Sequence, residues 1–359
     1  DKLVTGVQTC ALPIYLQANE YIYIKTEKEA SILLRNLIES YDSARKDIIR
    51  QLETIYGKYL TTTDPQDYYN IMIQYDRLNK LLTDVTQTFN YYSKLAGDIT
   101  AQAMTLSMQN VYYRQNYLLE WITPVAGVTF NFAPLDKRLV ELSVFGTQDA
   151  WKAISKSLIE KYGQAGIYAP DYGTLSQLLY DRKVQDLILI QREISQAFIQ
   201  GKSIKQTSDA FMQIFDTIKY KADRIARTET HRTANLGAYA AGQEARSQGV
   251  DIKKMWIATL DTKTRPQHAQ LDGVKLDPDE YYKIGSDRAL MPGGFTRPEN
   301  VINCRCTHVD IVNDIDPQIR RGRNPITGEN EVFEFKTYDQ WAKDNGLKQN
   351  KQGYYYLPE

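Results

Sequence analysis

Two runs of apolar and aromatic residues, stepping alternately by three and four, force the N-terminal part of this chain to be helical. The first is Leu37, Tyr41, Ala44, Ile48, Leu52, Ile55 and Tyr59; the second is Tyr68, Ile71, Tyr75, Leu78, Leu82, Val85, Phe89 and Tyr92. Such steps keep one stripe on one helix face, whereas a strand would scatter it over both. The spacing is close to a heptad, so the two helices are expected to pair as an antiparallel, coiled-coil-like hairpin. Thr26 and Glu29 have capping-box spacing and place the first helix start. Asp64 followed by Pro65 places the second. Residues 99–117 predict a third helix.

Length then requires more than this hairpin. At 359 residues the chain exceeds the roughly 250–300 at which a single core stops growing, so two domains are expected. Forty-four basic residues balance 44 acidic ones, which removes any global field toward nucleic acid or anionic membrane. The most apolar region, residues 118–135, is broken by Glu120, Thr123, Pro124, Thr129 and Asn131 and falls short of a span. No membrane partner is expected. The 26 tyrosines suit helices that bury a ring and keep a hydroxyl wet. Residues 4–14 (VTGVQTCALPI) read as an in-frame translation of a sequencing adapter, so residues 1–14 are set apart and Cys10 with them. The two remaining cysteines make no disulfide framework and point to a reducing compartment.

Past residue 121 the helical period lapses, with prolines at 124 and 134 and a strand-like alternation at residues 128–132 (VTFNF). Helical patterning returns over residues 148–162 and 175–198, separated by a loop at 163–173. Ser203 can cap a further helical region that reaches Gly249, with room for one break near Asp216. After that glycine the texture changes to strands at residues 253–259 and 308–312, with turns at Asp272-Gly273 and Gly293-Gly294. The fold class is therefore mainly α with a C-terminal α+β module: a long helical hairpin or bundle, then helices packed on a small sheet. A loop-rich tail follows, with a short helix near residues 338–343.

The residues capable of chemistry gather in the module. Cys304, Cys306 and His308 recur at steps of two and would share a face if the segment is extended, and His268 could complete a tetrahedral sulfur and nitrogen set of the kind structural zinc favours. The competing reading makes the cysteines small buried hydrophobes. A catalytic zinc would need an open position and a base, for which Asp272 or Glu229 could serve, but nothing enforces either. The zinc-deaminase pattern is not met, since the corresponding stretches are HAQ and NCRC. With no phosphate loop or nucleophile elbow, no catalytic residue is assigned. Glu229 with Arg227 is expected to anchor the long helix to the sheet. Arg320, Arg321 and Arg323 read as a solvated tail in preference to a phosphate-contacting patch.

The run RIARTETHRTAN, the later KKMWIATLDTKTRPQHAQLDG and the closing NCRC together resemble the head morphogenesis domain of tailed bacteriophages, the Mu F-like minor head protein family. The matching positions are Arg227, Thr228, Glu229, Trp256, Asp261, Arg265, His268, Asp272, Gly273, Cys304, Arg305 and Cys306. Many members have cysteines in the region of TRPQH and a histidine just before Cys-Arg-Cys; this chain has neither, so His308 would have to substitute. The patterning divides the chain into residues 15–146 as a helical N-terminal region, a coiled-coil-like hairpin plus linker, 147–192 as connecting helices and 313–359 as the tail, and the resemblance covers residues 193–312 as the head morphogenesis domain. It further implies a non-enzymatic protein that meets portal, capsid and scaffold proteins, contacts packaged DNA, and resides in the head interior near the portal after assembly in the host cytoplasm. The alternative from another class is a metal-dependent enzyme, either a nuclease or an injected effector.

Overall fold

A computed structural model describes residues 2–59, 75–145, 175–200 and 202–358. Among the described residues five helices dominate: α1 (Lys2–Tyr59), α2 (Tyr75–Ile122), α3 (Lys137–Phe145), α4 (Leu175–Ile199) and α5 (Ile204–Ser247). The C-terminal part holds β1 (Ile252–Ile257), α6 (Pro266–Gln270), β2 (Lys275–Leu276), β3 (Tyr282–Ile284), β4 (Asp287–Ala289), α7 (Pro298–Val301) and β5 (Thr307–Val312). Then come β6 (Ile319–Arg323), β7 (Asn330–Glu334), α8 (Tyr338–Asp344), β8 (Lys348–Gln349) and β9 (Tyr355–Tyr356). Mainly α with a C-terminal α+β module is the observed class. The chain forms two compact units, one of Ser31–Ala103 with Leu175–Arg227, the other of Asp1–Ala30, Met104–Thr174 and Thr228–Glu359.

The first unit is helical and built on the stripes. Leu37, Tyr41, Ala44, Ile48 and Leu52 of α1 are buried with Leu81, Val85 and Phe89 of α2, Ile190 and Ile194 of α4, and Phe211, Phe215 and Ile218 of α5. Phe89 sits edge-on to Phe215 at 6.3 Å, a preferred aromatic arrangement. The two long helices run antiparallel as expected: Gln51 meets Thr88 at 2.8 Å, and Asp47 accepts from the Tyr92 hydroxyl at 2.6 Å.

Several helix boundaries depart from expectation. Thr26 lies inside α1, and in the second unit its hydroxyl accepts from Arg114 at 2.9 Å, while Glu29 accepts from Arg114 at 3.0 Å and from Asn110 at 2.8 Å. The would-be capping residues are recruited into helix pairing. The expected second and third helices are one, α2, because a lone glycine at 97 costs only about 1 kcal/mol in a long helix. Helix α5 starts on a capping box of Ser203 and Gln206 and continues past Asp216, which pairs with Lys219 at 2.9 Å. It ends at Ser247 and is followed by Gly249, in the left-handed conformation at φ 88. The Asp64-Pro65 start, the 148–162 helix and the 163–173 loop fall outside the described residues.

In the second unit, residues 128–132 form no strand. Asn131 bonds through both its backbone groups to the Gln248 side chain, and Ala133 N–H donates to Glu244, so the C-terminal end of α5 satisfies the polar groups a ladder would have used. Helix α3 follows where none was expected; Asp136 caps it, its carboxylate accepting from Arg138 N at 2.9 Å. The sheet is antiparallel in the order β2-β1-β5, with Trp256 opposite His308 and Lys254 opposite Asp310. Helix α5 is almost wholly buried from Thr228 to Ala245, and small residues let neighbours approach. A Cβ at Gly237 would fall 2.3 Å from the Met108 carbonyl oxygen, and one at Gly242 would fall 2.8 Å from an Asp310 oxygen.

Intrinsic helix preference predicts that Gly237→Ala gains about 1 kcal/mol. The close approach of two backbones reverses that sign, and we expect a net loss of about 1–3 kcal/mol from overpacking. A thermal melt decides it: a raised Tm for Gly237→Ala would contradict the packing described.

Candidate metal centre and its support

Pro266, at the first turn of α6, fixes the start of that short helix and places His268 inward, with Pro266, His268 and Ala269 all buried. The other half of the site is the turn after α7. Asn303 takes a left-handed φ of 57, tolerable for asparagine, and Cys304 N–H donates to the Val301 carbonyl at 2.9 Å. This turn brings Cys304 back beside Cys306, and both are free, buried thiols. The His268 Nδ1 lies 3.4 Å from the Cys306 sulfur and 3.6 Å from the Cys304 sulfur, and one donor atom from each residue falls within 4.8 Å of the others. These three residues could hold a metal ion.

His308 lies outside this group. Two residues along a strand advance about 6.8 Å, so the extended chain carries it away, while the same-face argument for Cys304 is overtaken by the turn. Its ring instead faces Asp310 on β5 at 3.9 Å. Burial, with the Lys254 charge, pushes it down to about 3. Lys254 on β1 donates to the carbonyls of Pro278, Glu280 and Leu290 at 2.7–2.9 Å and lies over the rings of Tyr239 and Tyr282. This cage ties the β3–β4 segment to the sheet. Burial holds Lys254 down, to about 7, and Asp310 up, also to about 7.

Helix α5 grips the cysteine turn through residues the sequence reading left unassigned. Thr228 Oγ1 accepts from Asn303 N–H at 3.2 Å, and the Cys306 carbonyl accepts from His231 Nε2 at 2.8 Å and from Asn235 Nδ2 at 3.3 Å. Their spacing of three, then four, puts all three on one helix face, the signal that could have found them. The Cys306 hydrogen bond, opposed by burial and joined by His231 and His268, holds the Cys304 thiol well below its ordinary value. Burial pushes the Cys306 thiol well up, reinforced by the charge at Cys304. Burial lowers His231, but its bonds to Cys304 and the Cys306 carbonyl outweigh that and raise it.

The remaining motif residues are structural in their contacts. Glu229 pairs with Arg232 at 2.9 Å, both buried, and Arg232 also donates to the Ser143 carbonyl. The expected partner, Arg227, is exposed and paired with Asp223, because it lies two positions from Glu229 and so faces another way. Trp256 is fully buried in the core, Arg265 donates to the Ile302 carbonyl, and Arg305 pairs with Asp261. Gly273 takes φ 78 and donates to the Trp256 carbonyl.

Asp272 and Arg320 join what the sequence separated. The Asp272 carboxylate accepts from Ala258 N–H, from both terminal nitrogens of Arg320 and from Tyr338 N–H at 2.6–2.7 Å. Arg320 also donates to the Lys336 and Ala258 carbonyls, so its charge serves the core and is not presented to phosphate. Tyr338 and Trp341 of α8 belong to the same buried cluster as Trp256, Phe295, Cys304 and Cys306. The expected loop-rich tail thus contains two β-hairpins and a helix that completes the core.

Comparison with known proteins gives the following. Residues 189–309 match the family described as Phage Mu protein F like protein. The chain is 24% identical over 310 residues to the minor head protein GP7 of Bacillus phage SPP1, covering 86% of this chain and 91% of that protein. It is 33% identical over 177 residues to a protein of Enterococcus faecalis named NAD(+)--arginine ADP-ribosyltransferase EFV, 49% of this chain and 35% of that one. An uncharacterized Haemophilus influenzae protein is 27% identical over 169 residues, 47% and 34% of the two chains. The chain thus spans about a third of the length of the latter two relatives. No solved structure matches.

Removing either partner of a buried ion pair strands the other's charge, at a cost of about 3–5 kcal/mol. Asp272→Ala and Arg320→Ala are each expected to lose that much in chemical denaturation, with the double variant losing less than their total. Additive losses would show that the two do not act as a pair.

Proposed function

We propose, from the premise that this chain is a Mu F-like phage minor head protein, that it works as a non-enzymatic assembly component of the phage head. A structural role in head morphogenesis follows from the family. The finer reading is that the protein docks to the portal and the capsid or scaffold interior during procapsid assembly and touches packaged DNA there. Its place is then the virion head near the portal, reached from the host cytoplasm. No helix among the described residues is long and apolar enough to cross a membrane.

The observation that carries this reading is coverage. The relative named as a minor head protein is matched along 91% of its length, whereas the one named as an ADP-ribosyltransferase is matched along 35%. Polar residues of the module support a scaffold in the same way: Asp261, Asp272, Glu229 and Arg320 are committed to structural partners. A metal-dependent nuclease or injected effector is the competing class.

Zinc is the ion we assign to His268, Cys304 and Cys306, as a structural brace. Tetrahedral bonds of about 2.3 Å to sulfur and about 2.0–2.1 Å to nitrogen imply nitrogen-to-sulfur edges of about 3.6 Å. The two His268-to-sulfur distances, 3.4 and 3.6 Å, match such edges. Two thiolates would also neutralise the divalent charge in a buried site. When bound, the ion would tie α6 to the turn before β5; it is assigned no part in a reaction.

Heads assembled with and without the gene, analysed by mass spectrometry and by capture on immobilised portal, test the function. The protein is expected in mature heads and on the portal, and its removal should lower the yield of DNA-filled heads. Absence from heads together with no portal capture would overturn the proposal, as would metal-dependent nuclease activity abolished by His268→Ala.

A further inference from the structure

The β6–β7 hairpin leaves one side of its ladder open. Asn324 N–H donates to the Glu329 carbonyl at 2.8 Å and Phe335 N–H to the Gln318 carbonyl at 2.9 Å, which fixes the phase of the pairing. Bonded and non-bonded pairs alternate along an antiparallel ladder, so Gly322 with Glu331 and Arg320 with Phe333 carry the hairpin's own hydrogen bonds. The pairs between them are Arg323 with Asn330, Arg321 with Val332 and Ile319 with Glu334, whose backbone groups point outward. On the β6 side that edge is used, since Arg323 N–H donates to the Leu260 carbonyl at 3.0 Å. On the β7 side Asn330, Glu331, Val332 and Glu334 are exposed, and among the described residues no further strand pairs with them.

Open edges are commonly blunted by a proline, a lysine or a bulge. Strand β7 (NEVFE) has neither residue, and its register with β6 runs without a break. The tip is held in place, because Asn324 Oδ1 accepts from Ile326 N–H at 2.9 Å and from Thr327 N–H at 3.1 Å. Apolar groups are nonetheless left in water: Val332 is 62% exposed and Ile326 76%.

We infer that the outer edge of β7 docks an extended basic segment of another protein, which adds to the hairpin as a third strand. Asn330, Val332 and Glu334 supply the main-chain hydrogen bonds, and alternate side chains set the preference. Glu329 and Glu331 share one face, and Val332 lies on the other. A strand alternating basic and apolar residues matches both. Neighbouring cations are engaged elsewhere, Lys336 with Asp344 and Arg320 with Asp272, so the acidic edge keeps its field. A second copy of β7 is the wrong occupant, since it would set glutamate against glutamate across the ladder. The inference rests on the hairpin alone, independent of the metal and of the head role proposed above.

A short labelled synthetic peptide alternating valine and lysine, titrated into the full-length protein by fluorescence anisotropy, tests it. That peptide should bind, and one alternating valine and glutamate should not. Val332→Pro removes an outward N–H that the β6 ladder does not use, so it should leave the Tm unchanged while weakening the lysine peptide by about tenfold or more. Val332→Ile, which keeps the N–H, should bind as the wild type does. Hydrogen exchange needs no variant and decides the matter even if the proline variant folds poorly: the Asn330, Val332 and Glu334 amides should exchange faster than those of Glu331 and Phe333, and the lysine peptide should slow them. No binding of the lysine peptide, wild-type affinity in Val332→Pro, or no slowing of the three outward amides would overturn the inference.

Discussion

The Asp272 carboxylate accepts four hydrogen bonds while buried, and the C-terminal module depends on that concentration of charge. An isolated carboxylate in such a place would cost several kcal/mol; a guanidinium and two backbone N–H groups convert it into a junction. Through it the exit of β1, the Asp-Gly turn, β6 and the start of α8 meet at one point. The indole of Trp256 and the aromatic rings of Tyr338 and Trp341 then close a single apolar cluster. The cysteines lie within that cluster, so the candidate metal site shares its rigidity.

Helix α5 imposes the second constraint. Its C-terminal half trades side-chain volume for proximity, with Gly237 against the Met108 backbone and Gly242 against Asp310. The polar residues it keeps are directed inward: Glu229 to Arg232, and Thr228, His231 and Asn235 to the cysteine turn. A helix used this way is a frame for other elements, which suits the structural role in head morphogenesis proposed above. Tyrosine hydroxyls follow the same economy, as with Tyr239 to the Pro278 carbonyl and Tyr112 to the Ala133 carbonyl.

Periodicity made the helices legible because burial of one face is a local property of spacing. Leu37 to Leu52, and Val85 with Phe89, lie in the core as their steps require. Capping signals were less decisive: Ser203 does cap α5, but Thr26 and Glu29 are drawn to Arg114, a partner 85 or more positions away. The Cys-Arg-Cys motif and His268 were legible as soft donors in one region, and they do gather. His308 was misplaced because alternation assumes an extended chain from Cys304, and the left-handed Asn303 marks a turn there instead. Arg320 looked like part of a solvated basic cluster because its partner Asp272 is 48 positions distant. Tertiary pairing of that kind leaves no trace in local spacing.

Hydrogen exchange on the intact protein tests most directly the claim that residues beyond 312 complete the module's core. The Tyr338 amide, bonded to Asp272, is predicted to exchange in the same slow class as the Trp256 and Val309 amides of the β2-β1-β5 sheet. Rapid exchange at Tyr338 beside slow exchange at Trp256 would contradict the account, because α8 would then open independently of the sheet.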